Sequence, residues 1–176
     1  MPKIISQDKL DEIIKEHDVW LKASTYFGKC AVFRDMDLNY LNFRGANLTD
    51  AIFENCKLVK ANLLNVKFRR TKFTNVSFEN ADLMYVRFLN TKCNDVIFDK
   101  ARLSDTVITN SLIMGSSFCN TDLTQTFMDN SKLLNSTFEW ADFTKAWIRD
   151  SEIQNFNIKN IIFNETYFTG CIIHAD

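Results

Sequence analysis

Cysteine and histidine are the residues of this sequence best suited to metal binding or nucleophilic chemistry, because thiolates and imidazoles are strong ligands and bases. The chain has five cysteines, an odd number, with no C-x-x-C pair, and only two histidines. These residues are Cys30, Cys56, Cys93, Cys119, Cys171, His17 and His174. We therefore predict no metal site, no disulfide framework and no cofactor, and we interpret the cysteines as small apolar residues.

The other groups that could support catalysis are also dispersed. Carboxylates occur singly along the chain, and no serine or cysteine stands at a telling spacing from His17 or His174. The sequence contains only four glycines and no glycine-rich run, so it has no phosphate-binding loop. The sequence therefore predicts a protein that is not an enzyme and has no small-molecule substrate.

An apolar residue returns at every fifth position, and this repeat organises the chain. It is clearest from Ala61 to Phe88 and continues unbroken from Phe33 to Ile173. The 29 positions hold 13 Phe, 8 Leu, 6 Ile, one Met and one Cys. The residue two places earlier is mostly small or β-branched, and neither a helix nor a flat strand has this period. The pattern predicts a coil that turns a corner every five residues and closes a square after four, with about 4.8 Å between coils.

The predicted architecture is an all-β solenoid of about seven coils. A continuously packed rod of this kind has no concave site with convergent polar groups. The corner column, two residues after each apolar centre, is Asn, Asp or Gly in 19 of 29 cases, and these residues tolerate a left-handed backbone. They concentrate after the faces that carry Phe33 and Leu48. We therefore expect two turn geometries, with left-handed residues concentrated at those two corners.

One helix is predicted before the repeat. Ser6 can cap it, Asp8 lies in its first turn, and apolar residues follow at three- and four-residue steps as far as Leu21. We place this amphipathic helix at roughly residues 7–22 and expect it to lie on the first coil. The predicted organisation is one structural domain with two parts, a capping helix and loop over residues 1–30 and a β-helix over residues 31–176.

Four segments resemble the A(D/N)LXX unit of the pentapeptide repeat proteins: Ala46-Asn47-Leu48, Ala61-Asn62-Leu63, Ala81-Asp82-Leu83 and Ala141-Asp142-Phe143. The resemblance covers residues 31–175 and implies a right-handed quadrilateral β-helix, commonly cytoplasmic in bacteria. The segment from His17 to Leu21 also resembles the helical cap found before such repeats. Larger residues occupy the normally small position at Met36, Leu41, Phe156 and Ile161. Bulging is therefore expected near residues 156–161.

One column of outward residues is apolar. Its members are 20 residues apart, one coil, so they are expected to stack as a ladder: Val107, Phe127, Trp147 and Tyr167. An exposed apolar patch of this kind usually marks an interaction surface. The alternative interpretation is that stacked side chains simply stabilise neighbouring coils. The sequence thus favours a non-enzymatic scaffold that binds a protein partner, whose identity it does not give.

The resemblance also implies an alternative function. Some pentapeptide repeat proteins resemble a DNA duplex in size and charge, bind DNA gyrase and related topoisomerases, and alter fluoroquinolone sensitivity. Such mimicry requires a strongly acidic stripe, whereas residues 31–175 carry 16 Lys/Arg and 16 Asp/Glu. Acidic residues on two neighbouring faces could still border a shared edge as a local strip: Glu79, Asp82, Asp99, Asp122, Glu139 and Asp142.

The overall charge favours neither nucleic acid nor an anionic membrane, because the formal net charge is −1. The densest positive run contains no acidic residue and comprises Lys57, Lys60, Lys67, Arg69, Arg70 and Lys72. We expect these residues to spread over several faces rather than form one stripe. They are interpreted as a solvated positive surface, and direct nucleic-acid binding is not expected.

The two ends of the predicted rod differ. The helix is expected to cover the first coil, whereas the sequence stops at Asp176, directly after the last repeat centre, without a second cap. An uncovered end would expose core side chains and unpaired backbone, here at Phe163, Phe168, Ile172 and Ile173. A homodimer through this end is therefore expected. No signal sequence or membrane-spanning apolar run is visible, which predicts a cytoplasmic protein with no membrane association.

Overall fold

The computed structural model shows a solenoid of parallel strands with about seven turns and one N-terminal helix. The structure describes residues 2–23, 27–156 and 159–175. Each turn takes 20 residues and therefore four five-residue units, so Phe53 lies in register with Phe73, and Ile113 with Leu133. The predicted fold class is confirmed, and the helix α1 spans Gln7–Lys22, close to the predicted bounds.

Two faces of the solenoid are parallel sheets. The ten-stranded sheet contains β1 (Lys3–Ile4), β2 (Val32–Arg34), β3 (Met36–Asp37), β4 (Ile52–Lys57), β6 (Lys72–Ser77), β8 (Lys92–Asn94), β10 (Leu112–Met114), β12 (Lys132–Leu134), β14 (Glu152–Phe156) and β16 (Ile172–Ala175). The six-stranded sheet contains β5 (Lys67–Arg69), β7 (Arg87–Leu89), β9 (Val107–Thr109), β11 (Phe127–Asp129), β13 (Trp147–Arg149) and β15 (Tyr167–Thr169). These two sheets adjoin at one edge of the rod.

The other two faces pair differently. Their coils are joined by single bridges, such as Asn62 with Asp82, and their corners are hydrogen-bonded turns. In one such turn the N–H of Ala61 donates to the carbonyl of Leu58 at 3.1 Å. At the corners that follow the strands, the chain in most coils bends or continues as a strand instead. The prediction of two turn geometries is therefore confirmed.

The prediction that left-handed residues concentrate at two corners is wrong. Every corner residue from Asp35 to Asp150 has a positive φ, between 46° at Asn130 and 72° at Gly45. Even Lys60 and Trp140 adopt this conformation, with φ of 56° and 62°. The reason is geometric, because a chain that closes a square must change direction at all four corners. Residue type affects how much strain the left-handed backbone causes at a corner, but it does not determine where the chain turns.

The Asn and Asp residues at the strand-side corners form ladders of their own. Asn75 Nδ2 donates to Asn55 Oδ1 at 2.9 Å, and Asn55 Nδ2 donates to Asp35 Oδ1 at 3.0 Å. Asn130 and Asn110 repeat the contact at 2.6 Å on the next edge. A side-chain amide suits this position because it supplies a donor to one coil and an acceptor to the other. The amide ladder explains why these two corners favour Asn and Asp although all corners are left-handed.

The core is built by the repeat centres. Phe118 stacks on Phe98 and Phe138 with ring centroids 4.7 and 4.9 Å apart, and all three side chains are buried. The small position beside them also accepts buried hydroxyls. Thr71 Oγ1, for example, donates to the carbonyl of Leu48 in the preceding coil at 2.8 Å. Because such hydroxyls find a partner 23 residues back, serine and threonine can replace alanine inside the rod.

The helix covers the first coil through specific hydrogen bonds as well as apolar packing. The Gln7 amide donates to the carbonyl of Asn42 and accepts its N–H, each at 2.9 Å. It thereby supplies hydrogen bonds that a preceding coil would otherwise make. His17 Nδ1 accepts the N–H of Ala31 at 3.0 Å. Leu10 and His17 are completely buried against the coil. The cap therefore closes an edge that would otherwise expose unpaired backbone groups.

The last strands contain the predicted irregularity. The pairing of β14 with β16 shifts register between Gln154 and Phe156, at the start of the segment where bulging was expected. Phe156 stands at a repeat position that is otherwise mostly small, which is why bulging was expected from this residue onward. Asn157 and Ile158 lie outside the described residues. Within the part of the chain that the structure describes, no helix is long and apolar enough to cross a membrane.

Candidate interaction surfaces

The four residues of the predicted apolar ladder are brought together on the six-stranded sheet. Each one pairs with the next in the register of the neighbouring strands β9, β11, β13 and β15: Val107, Phe127, Trp147 and Tyr167. Val107 and Phe127 are half-buried, whereas Trp147 is 55% exposed and Tyr167 61% exposed. The ladder therefore becomes more accessible toward the C-terminal end of the rod.

Contacts within the ladder hold its rings in place. The rings of Trp147 and Tyr167 lie 6.0 Å apart at an interplanar angle of 42°. The Arg149 guanidinium lies 5.8 Å from the centre of the Phe127 ring, and Asp129 fixes that guanidinium through bonds of 2.8 and 3.0 Å. A pre-ordered aromatic surface loses little side-chain entropy when a partner binds to it. These contacts also stabilise neighbouring coils, so the two interpretations of the ladder are compatible.

The six carboxylates of the predicted acidic strip also share one edge, on the two faces without extended sheets. Glu79, Asp99 and Glu139 precede its corner residues, and Asp82, Asp122 and Asp142 follow them. Cations interrupt this acidic edge, since Lys100 lies 3.9 Å from Glu79 and Arg102 lies 3.5 Å from Asp82. Lys159 similarly lies 3.7 Å from Glu139. The edge is thus a mixed row of charges rather than a continuous negative band.

Several of these carboxylates have a role in the local fold. Asp122 Oδ1 accepts the N–H of Thr124 at 3.0 Å, and Asp142 Oδ1 accepts the N–H of Thr144 at 2.8 Å. Asn62 makes the same contact with the N–H of Leu64 at 3.2 Å. The second residue of each unit therefore stabilises the turn that follows, which Asp and Asn do equally well. The aspartates need no partner molecule to explain their presence.

The positive residues are more concentrated than we expected from the sequence. Lys57 and Lys60 do lie on another face, but Lys67, Arg69, Arg70 and Lys72 surround one corner between β5 and β6. The next coil adds Arg87 and Lys92, directly above Lys67 and Lys72. The expectation that this run forms no stripe is therefore wrong for four of its six members. The sequence does contain the signal for this stacking, because Arg87 and Lys92 follow Lys67 and Lys72 by 20 residues, the same spacing that stacks the aromatic residues.

The C-terminal coil is open to solvent in the structure. Three of its repeat centres, Phe163, Phe168 and Ile173, retain between 38% and 44% exposure. Ile172, which pairs with Glu152 on an outward column, is 52% exposed. By contrast, Phe143, one coil earlier, is 2% exposed.

The cysteines and histidines do not converge on a reactive centre. The five cysteines are free, and among the described residues no three His, Cys, Asp or Glu side chains lie close enough to hold a metal ion. Complete burial raises the pKa of the Cys93 thiol far above its usual range, so this group stays protonated and unreactive. His17 serves the helical cap, where burial lowers its pKa and favours the neutral imidazole.

A square parallel solenoid built from five-residue units, with a small residue and a large apolar residue inward, defines the class of this protein. Family models agree with that class. Residues 51–128 match the model of the pentapeptide repeat region, and residues 29–65 and 113–146 match the model described as pentapeptide repeats (8 copies). The chain belongs to the pentapeptide repeat family. A comparison with curated proteins gives no match.

One solved structure, that of HetL, shares the fold. HetL, a pentapeptide repeat protein involved in heterocyst differentiation regulation in the cyanobacterium Nostoc, is 16% identical with a TM-score of 0.50; the match covers 84% of this chain and 77% of HetL. Trypsin-treated QnrB1, a plasmid-mediated fluoroquinolone resistance protein, is 13% identical with a TM-score of 0.49, over 78% of this chain and 79% of QnrB1. At these identities the likeness concerns the fold alone.

Proposed function

We propose that this protein is a non-enzymatic scaffold that binds a partner protein through the apolar ladder. The observation that carries the proposal is the column of four apolar side chains on one sheet, which ends in the exposed rings of Trp147 and Tyr167. Large aromatic side chains contribute most of the binding free energy at protein interfaces. Elsewhere on the described strands, most outward columns of several coils contain polar or charged residues, so the ladder is a distinctive surface.

The test compares two variants that remove aromatic area from different edges. Phe127→Ser with Trp147→Ser disrupts the ladder, whereas Trp140→Ser removes a tryptophan with the same 55% exposure from the acidic edge. Purified proteins would be used to capture partners from an extract of the native cell. A partner that binds the wild type and the Trp140 variant, but not the ladder variant, would support the proposal. Equal capture by all three proteins would contradict it.

The alternative is a DNA mimic that binds gyrase. What favours it is the placement of six carboxylates along one edge, at the positions predicted for such a strip. What weighs against it is the interruption of that edge by Lys100, Arg102 and Lys159. A supercoiling assay with purified gyrase, with and without a fluoroquinolone, decides the matter. Inhibition that is relieved by reversing the charge of Asp82, Asp122 and Asp142 would favour mimicry, and no effect would exclude it.

We further propose that the open C-terminal coil pairs with a second copy of the chain. Four partly exposed apolar side chains at one end of a rod are costly in water, and end-to-end contact would bury them. Sedimentation at micromolar concentration should show a dimer, and Phe168→Glu should shift it to a monomer. A wild-type protein that sediments as a monomer would contradict this proposal without affecting the ladder.

A further inference from the structure

Like charges are stacked on each other along one edge of the rod. In the six-stranded sheet Lys67 is directly paired with Arg87, and in the adjoining sheet Lys72 is paired with Lys92. Cross-strand neighbours of the same sign repel each other and destabilise a sheet. Together with Arg69, these four exposed residues form what we call the basic edge. Because these stacked cations destabilise the fold, their presence indicates a role in binding another molecule.

The basic edge also has no internal counter-charge. None of its five residues makes an ion pair with any residue that the structure describes, although pairing between coils is common elsewhere. The nearest carboxylates of the preceding coil are already engaged, since Asp50 binds Arg70 and Glu54 binds Arg34, both at 2.5 Å. Farther along the same face, Arg149 is held by Asp129 at 2.8 Å. Unpaired cations and a paired cation therefore occur on the same face of the rod.

The basic edge continues directly into the apolar ladder. Val107 is the next residue above Arg87, and Leu112 is the next above Lys92. The coil over residues 106–115 carries no charged side chain on these two faces. A molecule lying along this edge would therefore meet the cations of the basic edge first and the apolar ladder afterwards. The charges beside the upper part of the ladder are paired within the rod, as Lys132 is with Glu152 and Arg149 with Asp129. The acidic edge runs along the diagonally opposite corner, two units away.

We propose that the basic edge and the apolar ladder form one docking surface for an acidic protein segment that carries carboxylates at one end and large apolar side chains at the other. The proposal rests on the proposed scaffold function and specifies the chemistry of the partner. Carboxylates opposite the basic edge relieve its self-repulsion, and apolar side chains cover the ladder. The five coil steps from Lys67 to Tyr167 span about 24 Å, which matches about seven residues of strand or about 16 residues of helix.

A nucleic acid fits this surface less well. Its phosphates continue at regular intervals, whereas the cations of the edge stop after two coils and give way to an uncharged coil. The ladder offers little room for base stacking, because the rings of Trp147 and Tyr167 already lie 6.0 Å from each other. The whole surface, cations followed by apolar side chains, complements an acidic peptide with an apolar end.

The experiment uses the full chain and a fluorescent peptide of about 16 residues, with Glu in its first half and Leu and Trp in its second half. Lys67→Glu with Lys92→Glu lowers the formal charge of the basic edge from +5 to +1. It also creates opposite-charge pairs across the strands, so this variant should fold well. Lys57→Glu with Lys60→Glu makes the same change in net charge on another face. A peptide with Lys in place of Glu and a single-stranded oligonucleotide of equal charge are the other probes.

We expect the wild type and the Lys57/Lys60 variant to bind the acidic peptide, and the Lys67/Lys92 variant to bind it at least about tenfold more weakly. Binding should weaken with added salt. No binding below about 1 mM, equal binding by both charge variants, or equal binding of the lysine peptide would overturn the inference. Tighter binding of the oligonucleotide would overturn it in favour of nucleic acid. If only Phe127→Ser with Trp147→Ser abolishes peptide binding, the ladder function stands and the acidic partner does not.

Discussion

At the scale of single residues, His17 shows how one side chain fastens the cap to the rod. Its Nδ1 accepts the N–H of Ala31, its ring stacks on Trp20 with centroids 5.6 Å apart, and it is fully buried. Its Nε2 is also buried and has no hydrogen-bond partner among the described residues. Burial lowers the pKa, whereas Asp18, the Thr49 backbone and Asp50 act in the opposite direction. The hydrogen bond to Ala31 requires the neutral ring.

We predict that acidification loosens this cap. In the unfolded chain the histidine protonates near pH 6.5, whereas the lowered pKa keeps it neutral in the folded protein. The unfolded state therefore binds more protons as pH falls below about 6.5, and the free energy of unfolding falls with it. His17→Gln can still accept the hydrogen bond but does not titrate. Thermal unfolding at pH 7.5 and 5.5 should show a larger loss of Tm for the wild type than for His17→Gln, and equal losses would contradict the account.

At the scale of strands, pairing along the coils decides which residues meet. The 20-residue step sets Phe73 on Phe53, with ring centroids 5.1 Å apart, and by the same rule sets Lys92 on Lys72. Aromatic stacking stabilises neighbouring coils, whereas stacked cations oppose it. The fold thus carries a favourable ladder inside and an unfavourable one on its surface.

We predict that Lys92→Glu stabilises the protein by about 0.2–1 kcal/mol, because it replaces repulsion with an exposed cross-strand ion pair. Lys92→Gln removes the repulsion without forming an ion pair. Its free energy of unfolding should lie between those of the wild type and Lys92→Glu. Urea unfolding at low and high salt is the appropriate measurement, since added salt should reduce the differences. A lower urea midpoint for Lys92→Glu than for the wild type would contradict the prediction. The same change should weaken binding of the acidic peptide, so stability and binding would move in opposite directions.

The fold followed from the sequence because its period is local and unbroken. The buried centres from Phe33 to Ile153, the cap beginning after Ser6 and the irregularity at Phe156 were all readable from residue type and spacing. The left-handed backbone at Lys60 and Trp140 could not be predicted from residue type, because the chain must turn at all four corners whichever residue stands there. The pairing of Lys100 with Glu79 depends on side-chain reach across coils, which spacing alone does not give.

At the scale of the whole molecule, the rod has two kinds of face, and this limits how it can be extended. Strands occupy two adjoining faces, and hydrogen-bonded turns occupy the other two. We predict that a duplicate of residues 81–100, inserted after Lys100, gives a folded protein with a Tm close to that of the wild type. A duplicate of residues 96–100 at the same point should lower Tm clearly, because strands would then face turns and the corner amide ladders would be broken. Equal Tm values would show that the faces are interchangeable.

The 20-residue register described for the coils makes the molecule a screw in which four five-residue units, one coil, complete a full rotation. Any two surface sites on it are related by only an angle and a rise, and both are fixed by the number of residues between them. Gain or loss of a whole coil changes the rise by about 4.8 Å and leaves the angle untouched. Duplication within a gene could therefore lengthen the reach between the basic edge and the apolar ladder while both keep facing the same partner.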